Sequence, residues 1–277
     1  MDSLTPTTAG RQEALAARYG AAAIPPAGPW NETIAGMLAH RSVRAFRPDA
    51  LPEGTLETLV AAASSAATSS NLQTWSVVAV RDPAKRAAMA AIAGGQKHIE
   101  QCPLFLVWLA DVSRNARLSE AEGVALEGLP YLEAFLVASV DAALAAQNAV
   151  VAAESLGLST VYIGALRNDV VRVAELLDLP PGAVGVFGLC VGYAAVPGEV
   201  KPRLPQSMVL HHERYDATRE QTQRAAYDAV LGEFSARNGM GPDGWTRRVI
   251  GRLGAIKAMA GRDKLVAALR AIGFPLK

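Results

Sequence analysis

The chain of 277 residues contains only two cysteines, Cys102 and Cys190, and only four histidines. The cysteines form no Cys-x-x-Cys pair, so the sequence indicates neither a secreted disulfide framework nor a structural zinc site. It also lacks an excess of either charge, because 27 Lys and Arg oppose 26 Asp and Glu and leave a net charge of +1. General binding to nucleic acid or to an anionic membrane is therefore not favoured, and any basic site must be local.

Long uninterrupted apolar runs are missing as well. The longest apolar region, residues 134–153, is interrupted by Asp141, Gln147 and Asn148, so we do not expect it to span a membrane. The first residues, Met-Asp-Ser, do not follow the charged-then-apolar pattern of a secretory signal. Hydrophobic residues make up 51% of the chain, which is enough for a sizeable core. We therefore expect a soluble, cytoplasmic protein.

Common catalytic and nucleotide-binding templates are also absent. Residues 239–244 match the spacing of a Gly-x-Gly-x-x-Gly loop, but they follow a polar predicted helix and contain Pro242, so they predict an ordinary loop. No Walker loop, Gly-x-Ser-x-Gly elbow or His-Glu-x-x-His motif occurs. The adjacent residues His211, His212 and Glu213 point in different directions on a helix or strand, so they do not suit one metal ion. No metal is expected.

The pattern of apolar residues predicts strands that alternate with helices around one long helix. Residues 74–81, 104–110, 159–163 and 184–193 are strand-like, and residues 131–156 form a helix that is apolar on most sides. We expect that helix to be buried in a core or against a second subunit. The pattern predicts an α/β or α+β fold with four or five strands.

The expected domain organisation is simple. Residues 1–29, which include an Ala/Pro/Gly-rich stretch, are expected to form an N-terminal extension or linker. Residues 30–277 are expected to form a single domain whose C-terminal part is a helical excursion.

Side chains suited to ligand binding gather in four short segments at the ends of predicted elements: residues 40–44, 69–73, 162–167 and 201–203. Guanidinium groups in two of the segments suit a phosphate, and Gly164 permits a close backbone approach. These segments predict a site for a phosphorylated, polar, aromatic cofactor, which the residues alone do not name. For residues 40–44 taken alone, a solvated basic helix end is the alternative.

Six motifs in order resemble the nitroreductase family: HRSVRAF, SSNLQ, GGQKH, AAQNAVVAAESLGLSTVYIGALRN, FGLCVGY and KPRLP. The similarity is strongest to the branch of oxygen-insensitive NADPH nitroreductases and NADPH–FMN oxidoreductases, and it covers about residues 33–215. The resemblance implies an α+β fold with a central, mainly antiparallel sheet of four to five strands surrounded by helices. It also implies a homodimer with FMN bound at the subunit interface and with the long helix in the dimer core.

The resemblance further implies which residues contact FMN. Around the phosphate and the ribityl chain the matching residues are His40, Arg41, Ser42, Gln96, Lys201 and Arg203. Arg44 matches a residue near the pyrimidine edge, where a fixed cation favours the reduced flavin. The segment that reaches the flavin from the other subunit corresponds to Ser69, Ser70, Asn71 and Gln73. The segment over the ring corresponds to Tyr162, Ile163, Gly164 and Ala165, and the branch often has a second glycine at the last position.

The activity implied by the resemblance is that of an FMN-dependent NAD(P)H oxidoreductase that prefers NADPH. It would reduce nitroaromatics, quinones or flavins by ping-pong hydride transfer, without a protein nucleophile. Preference for NADPH needs a cation at the 2′-phosphate, and Arg237 is the candidate, with an ordinary helix-end arginine as the alternative. Three other interpretations stay open: a non-enzymatic FMN-binding protein, a flavin-consuming or dehalogenating member of the same fold, and a structural dimer with an inactive site.

Overall fold

The fold was obtained as a computed structural model that describes residues 8–26, 28–196 and 198–277. Loops and 3₁₀ turns connect its helices and strands. The helices of this described part are α1 (Thr8–Tyr19), α2 (Glu32–Leu38), α3 (Thr55–Ser64), α4 (Pro83–Ile92), α5 (His98–Gln101), α6 (Ser113–Glu122), α7 (Leu132–Ser155), α8 (Val170–Leu176), α9 (Glu220–Arg237), α10 (Trp245–Leu253) and α11 (Leu265–Ala271). The strands are β1 (Trp75–Ala79), β2 (Leu104–Asp111), β3 (Ser159–Ile163) and β4 (Ala183–Gly192).

The four strands form one sheet in the order β1-β2-β4-β3, and every neighbouring pair is antiparallel. Trp75 lies opposite Ala110 at the β1–β2 pairing, and Ile163 lies opposite Gly188 at the β3–β4 pairing. The predicted α+β fold with a mainly antiparallel sheet of four to five strands is therefore confirmed.

Strand β2 is buried along its whole length, as its continuous apolar sequence predicts. Successive side chains of a strand point to opposite faces. Phe105 and Val107 accordingly pack in a cluster with Met89 of α4, whereas Leu106 and Trp108 pack with α3 and α7 residues. Helices thus cover both faces of the sheet.

Helix α7 runs from Leu132 to Ser155, close to the predicted bounds, but only one of its sides is buried. The buried side is built mainly from alanines and also contains Asp141, which is 2% exposed. Small side chains let the helix pack closely on the sheet. By length and by its mean hydropathy of 1.6 the helix could cross a membrane, but its buried side belongs to the core cluster around β2.

The chain divides into two compact units. The first unit comprises Met1–Arg41 and Gly198–Ala258, and the second comprises Ser42–Pro197 and Met259–Lys277. In the first unit, Tyr227, Leu231 and Phe234 of α9 form a small core with Leu204 and Trp245. The second unit contains the sheet. The division of the sequence at residue 29 stays a prediction.

Glycines in the left-handed conformation mark two of the helix boundaries. Helix α3 begins at Thr55, directly after Gly54 with a φ of 78°. Helix α6 ends at Glu122, before Gly123 with a φ of 63°. A left-handed glycine is a common helix terminator because it has no Cβ atom.

Candidate functional site

Residues 42–46, which include the end of the first predicted basic segment, form an extended segment beside the sheet. The Val43 backbone N–H donates to the Thr160 carbonyl of β3 at 2.9 Å, and Phe46 forms a bridge with Ala194. Val43 is buried, whereas Ser42 and Arg44 are exposed. Alternation along this extended segment therefore directs Ser42 and Arg44 away from the core.

Arg44 interacts electrostatically with a buried histidine. His98, the first residue of α5, is 8% exposed, and within the described chain its Nε2 atom has no hydrogen-bond partner. Burial lowers the pKa of His98 below its ordinary value, and the positive charge of Arg44 lowers it further. His98 is therefore neutral at pH 7. The Arg44 guanidinium has no hydrogen-bond or ion-pair partner among the described residues.

The other residues of the second unit that were predicted to contact the flavin lie at two element ends. Gln96 is half-buried in the turn before α5 and donates from Nε2 to the Ala93 carbonyl at 3.0 Å. Tyr162 and Ile163 end β3, and Gly164 and Ala165 begin the following 3₁₀ turn, so the predicted turn is present. Burial raises the pKa of the Tyr162 hydroxyl, with a contribution from a nearby glutamate, so that hydroxyl stays protonated.

The loop between α3 and β1 has an unusual backbone. Ser70, Asn71 and Gln73 have φ values of 48°, 56° and 51°, in the left-handed region that glycine usually occupies. Such a conformation costs about 1–2 kcal/mol per residue. Three of them so close together must be held by the surrounding structure, and strained backbone of this kind is often found at ligand sites.

A buried carboxylate holds this loop. Asp141 of α7 accepts from the Thr68 hydroxyl at 2.6 Å and from the Ser69 backbone N–H at 3.1 Å. It also accepts from the Thr74 backbone N–H at 3.2 Å and from its hydroxyl at 3.1 Å. The Thr68 hydroxyl in turn accepts from the Gln73 N–H at 3.1 Å. These hydrogen bonds satisfy the buried charge and fix both ends of the loop.

An arginine also donates hydrogen bonds to the end of this loop. Arg114 of α6 donates to the Gln73 carbonyl at 3.0 Å and to the Ser76 hydroxyl at 3.2 Å. The Ser76 hydroxyl donates to Asp111, which is itself buried at the end of β2. The backbone of Gln73 is therefore held at its N–H through Thr68 and at its carbonyl by Arg114.

Four of the predicted phosphate and ribityl ligands lie in the first unit and form a basic group: His40, Arg41, Lys201 and Arg203. Arg41 donates to the Gly198 carbonyl at 3.0 Å, and the Arg203 side chain lies 3.5 Å from the Lys201 carbonyl. Tyr227 of α9 donates its hydroxyl to the Pro202 carbonyl at 2.9 Å. Within this unit, Arg41 is therefore bonded to the chain just before the Lys-Pro-Arg segment, and α9 holds the middle of that segment.

Arg18 of α1 joins these two segments. Its guanidinium donates to the carbonyls of Leu38 and His40 at 2.6 and 2.9 Å and to the Lys201 carbonyl at 2.8 Å. The side chain is only 5% exposed. Residues 1–29 were expected to be peripheral, and no pattern among them singled out Arg18.

The remaining candidates of the first unit lie at the end of α9 and beyond Arg203. Arg237 is the last residue of α9, and its guanidinium lies 3.4 Å from the Glu199 carboxylate in an exposed ion pair. Residues 239–244 follow this helix as a loop, as predicted. His211 accepts from the Asp216 N–H at 3.2 Å and stacks on Tyr215. Within the described residues no cluster of three or more His, Cys, Asp or Glu side chains could hold a metal.

The side chains present suit an anionic aromatic cofactor such as FMN. Among the described residues, Arg44 is an exposed cation without a hydrogen-bond or ion-pair partner, and the Nε2 atom of buried His98 has no hydrogen-bond partner. Together with the basic group of the first unit, these side chains could hold the negative charges of such a cofactor. His98 belongs to the GGQKH motif, from which the sequence interpretation took only Gln96. Asp141, Arg114 and Arg18 left no local sequence signal, because the groups that they contact lie far away in sequence.

Comparison with known proteins identifies the family. Residues 37–193 match a family profile described as "Nitroreductase family", and residues 201–277 match one described as "Nitroreductase family, C-terminal domain". The chain belongs to the nitroreductase family.

Named relatives are similar over most of their length. The chain is 37% identical to FMN reductase (NADPH) of Bacillus subtilis over 79% of this chain and 90% of that protein. It is 39% identical to the oxygen-insensitive NADPH nitroreductase of Salmonella typhimurium over 75% and 84% of the two chains. The solved structure of B. megaterium NfrA2 superposes with a TM-score of 0.84 at 35% identity, covering 90% of this chain and 100% of that one.

Replacing Asp141 by asparagine tests the hydrogen-bonded loop. The asparagine side chain would offer one acceptor oxygen in place of two, so some of the donors of Thr68, Ser69 and buried Thr74 would lose their partner. We expect the free energy of unfolding to fall by about 1–3 kcal/mol. We also expect amide hydrogen exchange to become faster at the loop. Urea denaturation and exchange mass spectrometry of the purified protein measure both effects.

Asn148→Ala is the matched control, because Asn148 lies on the same helix and donates to the Ala62 carbonyl of α3 at 3.2 Å. It removes a helix–helix hydrogen bond without touching the loop. Exchange at residues 69–74 that stays equally slow in Asp141→Asn and Asn148→Ala would contradict the role given to Asp141.

Proposed function

We propose that the protein is an FMN-dependent NADPH oxidoreductase that reduces nitroaromatics, quinones or flavins in two-electron steps. The observation that carries this proposal is the cation of Arg44, exposed and without a partner among the described residues, beside the neutral, buried His98. The names of the relatives, an FMN reductase (NADPH) and an oxygen-insensitive NADPH nitroreductase, support it.

We propose two groups of FMN ligands. Each group is supported by its match to the family motifs and by its charge. The phosphate and ribityl group consists of His40, Arg41, Ser42, Gln96, Lys201 and Arg203. The ring group consists of Arg44, Ser69, Ser70, Asn71, Gln73, Tyr162, Ile163, Gly164 and Ala165, to which the structure leads us to add His98.

When bound, FMN would supply the redox chemistry, which is the transfer of hydride between NADPH and a second substrate. Arg44 provides a fixed positive charge where negative charge would develop on the cofactor, and such a charge needs no reorganisation during the reaction. His98 is held neutral, so it adds a polar contact without adding a second positive charge. The protonated hydroxyl of Tyr162 likewise introduces no negative charge near the ring group.

For the 2′-phosphate of NADPH we propose Arg237. Its ion pair with Glu199 is exposed on both sides and has a separation of 3.4 Å. Exposed pairs of this kind contribute at most about 1 kcal/mol. A doubly charged phosphate can therefore replace Glu199 at little cost. The neighbouring loop contains Gly239 and Gly241, both at positive φ, and glycine adopts such conformations without a steric penalty.

We also propose a homodimer that forms through α7. Four large apolar residues recur at every fourth position on the side of α7 that faces away from the sheet: Leu132, Leu136, Val140 and Leu144, which are 42–55% exposed. A continuous apolar stripe on an exposed helix side is typical of a protein–protein interface. A second copy would cover the stripe with the same stripe, as a two-fold interface requires. A cytoplasmic location fits this interpretation and is part of the proposal.

Replacing Arg44 by alanine tests the ring group. We expect the variant to fold, because Arg44 is exposed, and to bind FMN about tenfold or more weakly or to be reduced by NADPH about tenfold or more slowly, since a fixed charge at the cofactor is lost. Flavin content after purification and stopped-flow absorbance during reduction are the measurements.

Arg81→Ala serves as the control, because Arg81 is an exposed arginine that follows β1 outside the proposed site. Normal flavin content together with a normal rate of reduction in Arg44→Ala would count against the assigned role.

The double variant Leu136→Glu/Leu144→Glu tests the dimer. Carboxylates in the centre of a self-complementary apolar stripe would lose their hydration on association, so we expect a dimer in the wild type and a monomer in the variant. Analytical ultracentrifugation at micromolar concentration distinguishes the two. Val266→Glu, on the exposed side of α11, is the control and should stay dimeric. A wild-type protein that sediments as a monomer would refute the dimer.

A further inference from the structure

Helix α1 lies outside both stretches that match the family profiles, which begin at residues 37 and 201. Nevertheless, one of its side chains is among the few charged groups that the fold buries. Arg18 is 5% exposed, and its guanidinium lies in the first unit among backbone carbonyls. A buried arginine is costly unless its donors are satisfied, so its contacts indicate what it holds.

The contacts of Arg18 converge on the two basic segments. One terminal nitrogen of the guanidinium donates to the backbone carbonyls of Leu38 and His40, and the other donates to the backbone carbonyl of Lys201. The Arg18 carbonyl also accepts from the Arg203 N–H at 2.8 Å. A single residue therefore binds the chain on both sides of the proposed phosphate ligands, immediately before Arg41 and at Lys201 and Arg203.

The planar guanidinium suits this task. It presents several N–H donors in fixed directions, so it can bridge three carbonyls at once, whereas a lysine ammonium is a single compact donor group. Because these contacts of Arg18 go to backbone groups, they set where the segments lie without occupying the side chains of Arg41 and Arg203.

We propose that Arg18 is a positioning residue that holds the 38–41 and 201–203 segments in the arrangement that recognises the phosphate of FMN. This inference rests on the proposed function. Helix α1, which precedes the stretch that matches the family profile, would then sharpen recognition of the phosphorylated cofactor. Arg18 itself does not contact the flavin in this account.

The inference predicts an effect mainly on recognition of the phosphate. Riboflavin carries the same ring and ribityl chain as FMN but lacks the phosphate, which is the group that the cationic side chains of the basic segments would bind most strongly. In Arg18→Ala we expect the dissociation constant for FMN to rise about tenfold or more, because those side chains would no longer be held in position to contact the charged phosphate. The dissociation constant for riboflavin should rise by a clearly smaller factor.

The experiment measures quenching of flavin fluorescence when flavin-free protein is titrated with FMN or with riboflavin. The matched control is Arg11→Ala, because Arg11 lies on the same helix and donates to the Gly28 carbonyl at 3.0 Å, away from the basic segments. Its ratio of riboflavin to FMN dissociation constants should equal that of the wild type.

A second variant covers the case in which Arg18→Ala does not fold. Arg18→Lys keeps the positive charge but has a single nitrogen in place of the two that divide the three carbonyls between them, so we expect it to fold and to show a lowered preference for FMN. A merely structural role would weaken both flavins equally or lower only the melting temperature.

The possible outcomes separate the inference from the proposed function. A wild type that prefers FMN, with the same preference kept in the folded Arg18 variants, would overturn the positioning role and leave the function intact. A wild type that binds neither flavin would overturn both. Loss of preference for FMN in the Arg18 variants alone would support the inference.

Discussion

A buried charge must be hydrogen-bonded, and this requirement links the core of the protein to its candidate site. Helix α7 packs on the sheet through small side chains, and Asp141 lies on that same buried side at 2% exposure. Its carboxylate therefore has to find donors within the protein. It finds them in Thr68, Ser69 and Thr74, at the two ends of the loop with the left-handed residues. The packing of the helix thus determines the conformation of a loop at the proposed site.

The first unit uses the same principle with the opposite charge. Arg18 is buried, and the carbonyls that satisfy it belong to the segments that carry His40 and Lys201. In both units, side chains that are proposed to bind the cofactor lie on irregular segments. A buried charged group in each unit fixes the backbone of such a segment. This division suits a cofactor site, because the groups that touch the ligand stay available while a separate group sets their positions.

The sequence interpretation predicted the elements whose signals are local. The continuous apolar run of residues 104–110 indicated a strand buried on both faces, and all residues of β2 are buried. Residues 239–244 were also predicted to form an ordinary loop, and they follow α9 as a loop. Asp141, by contrast, registered only as an interruption of an apolar run, and Arg18 lay in a segment with no readable role. Many of their partners are backbone groups far away in sequence, and backbone groups have no sequence pattern.

The central claim is that bound FMN accepts electrons from NADPH. It is tested most directly by anaerobic titration of the purified protein with NADPH, and then with NADH, followed by visible absorbance. The account predicts a flavin spectrum that bleaches stoichiometrically with NADPH and much more slowly with NADH. A flavin spectrum that neither nucleotide changes would contradict the oxidoreductase assignment, and a colourless protein that takes up no added FMN would contradict the cofactor as well.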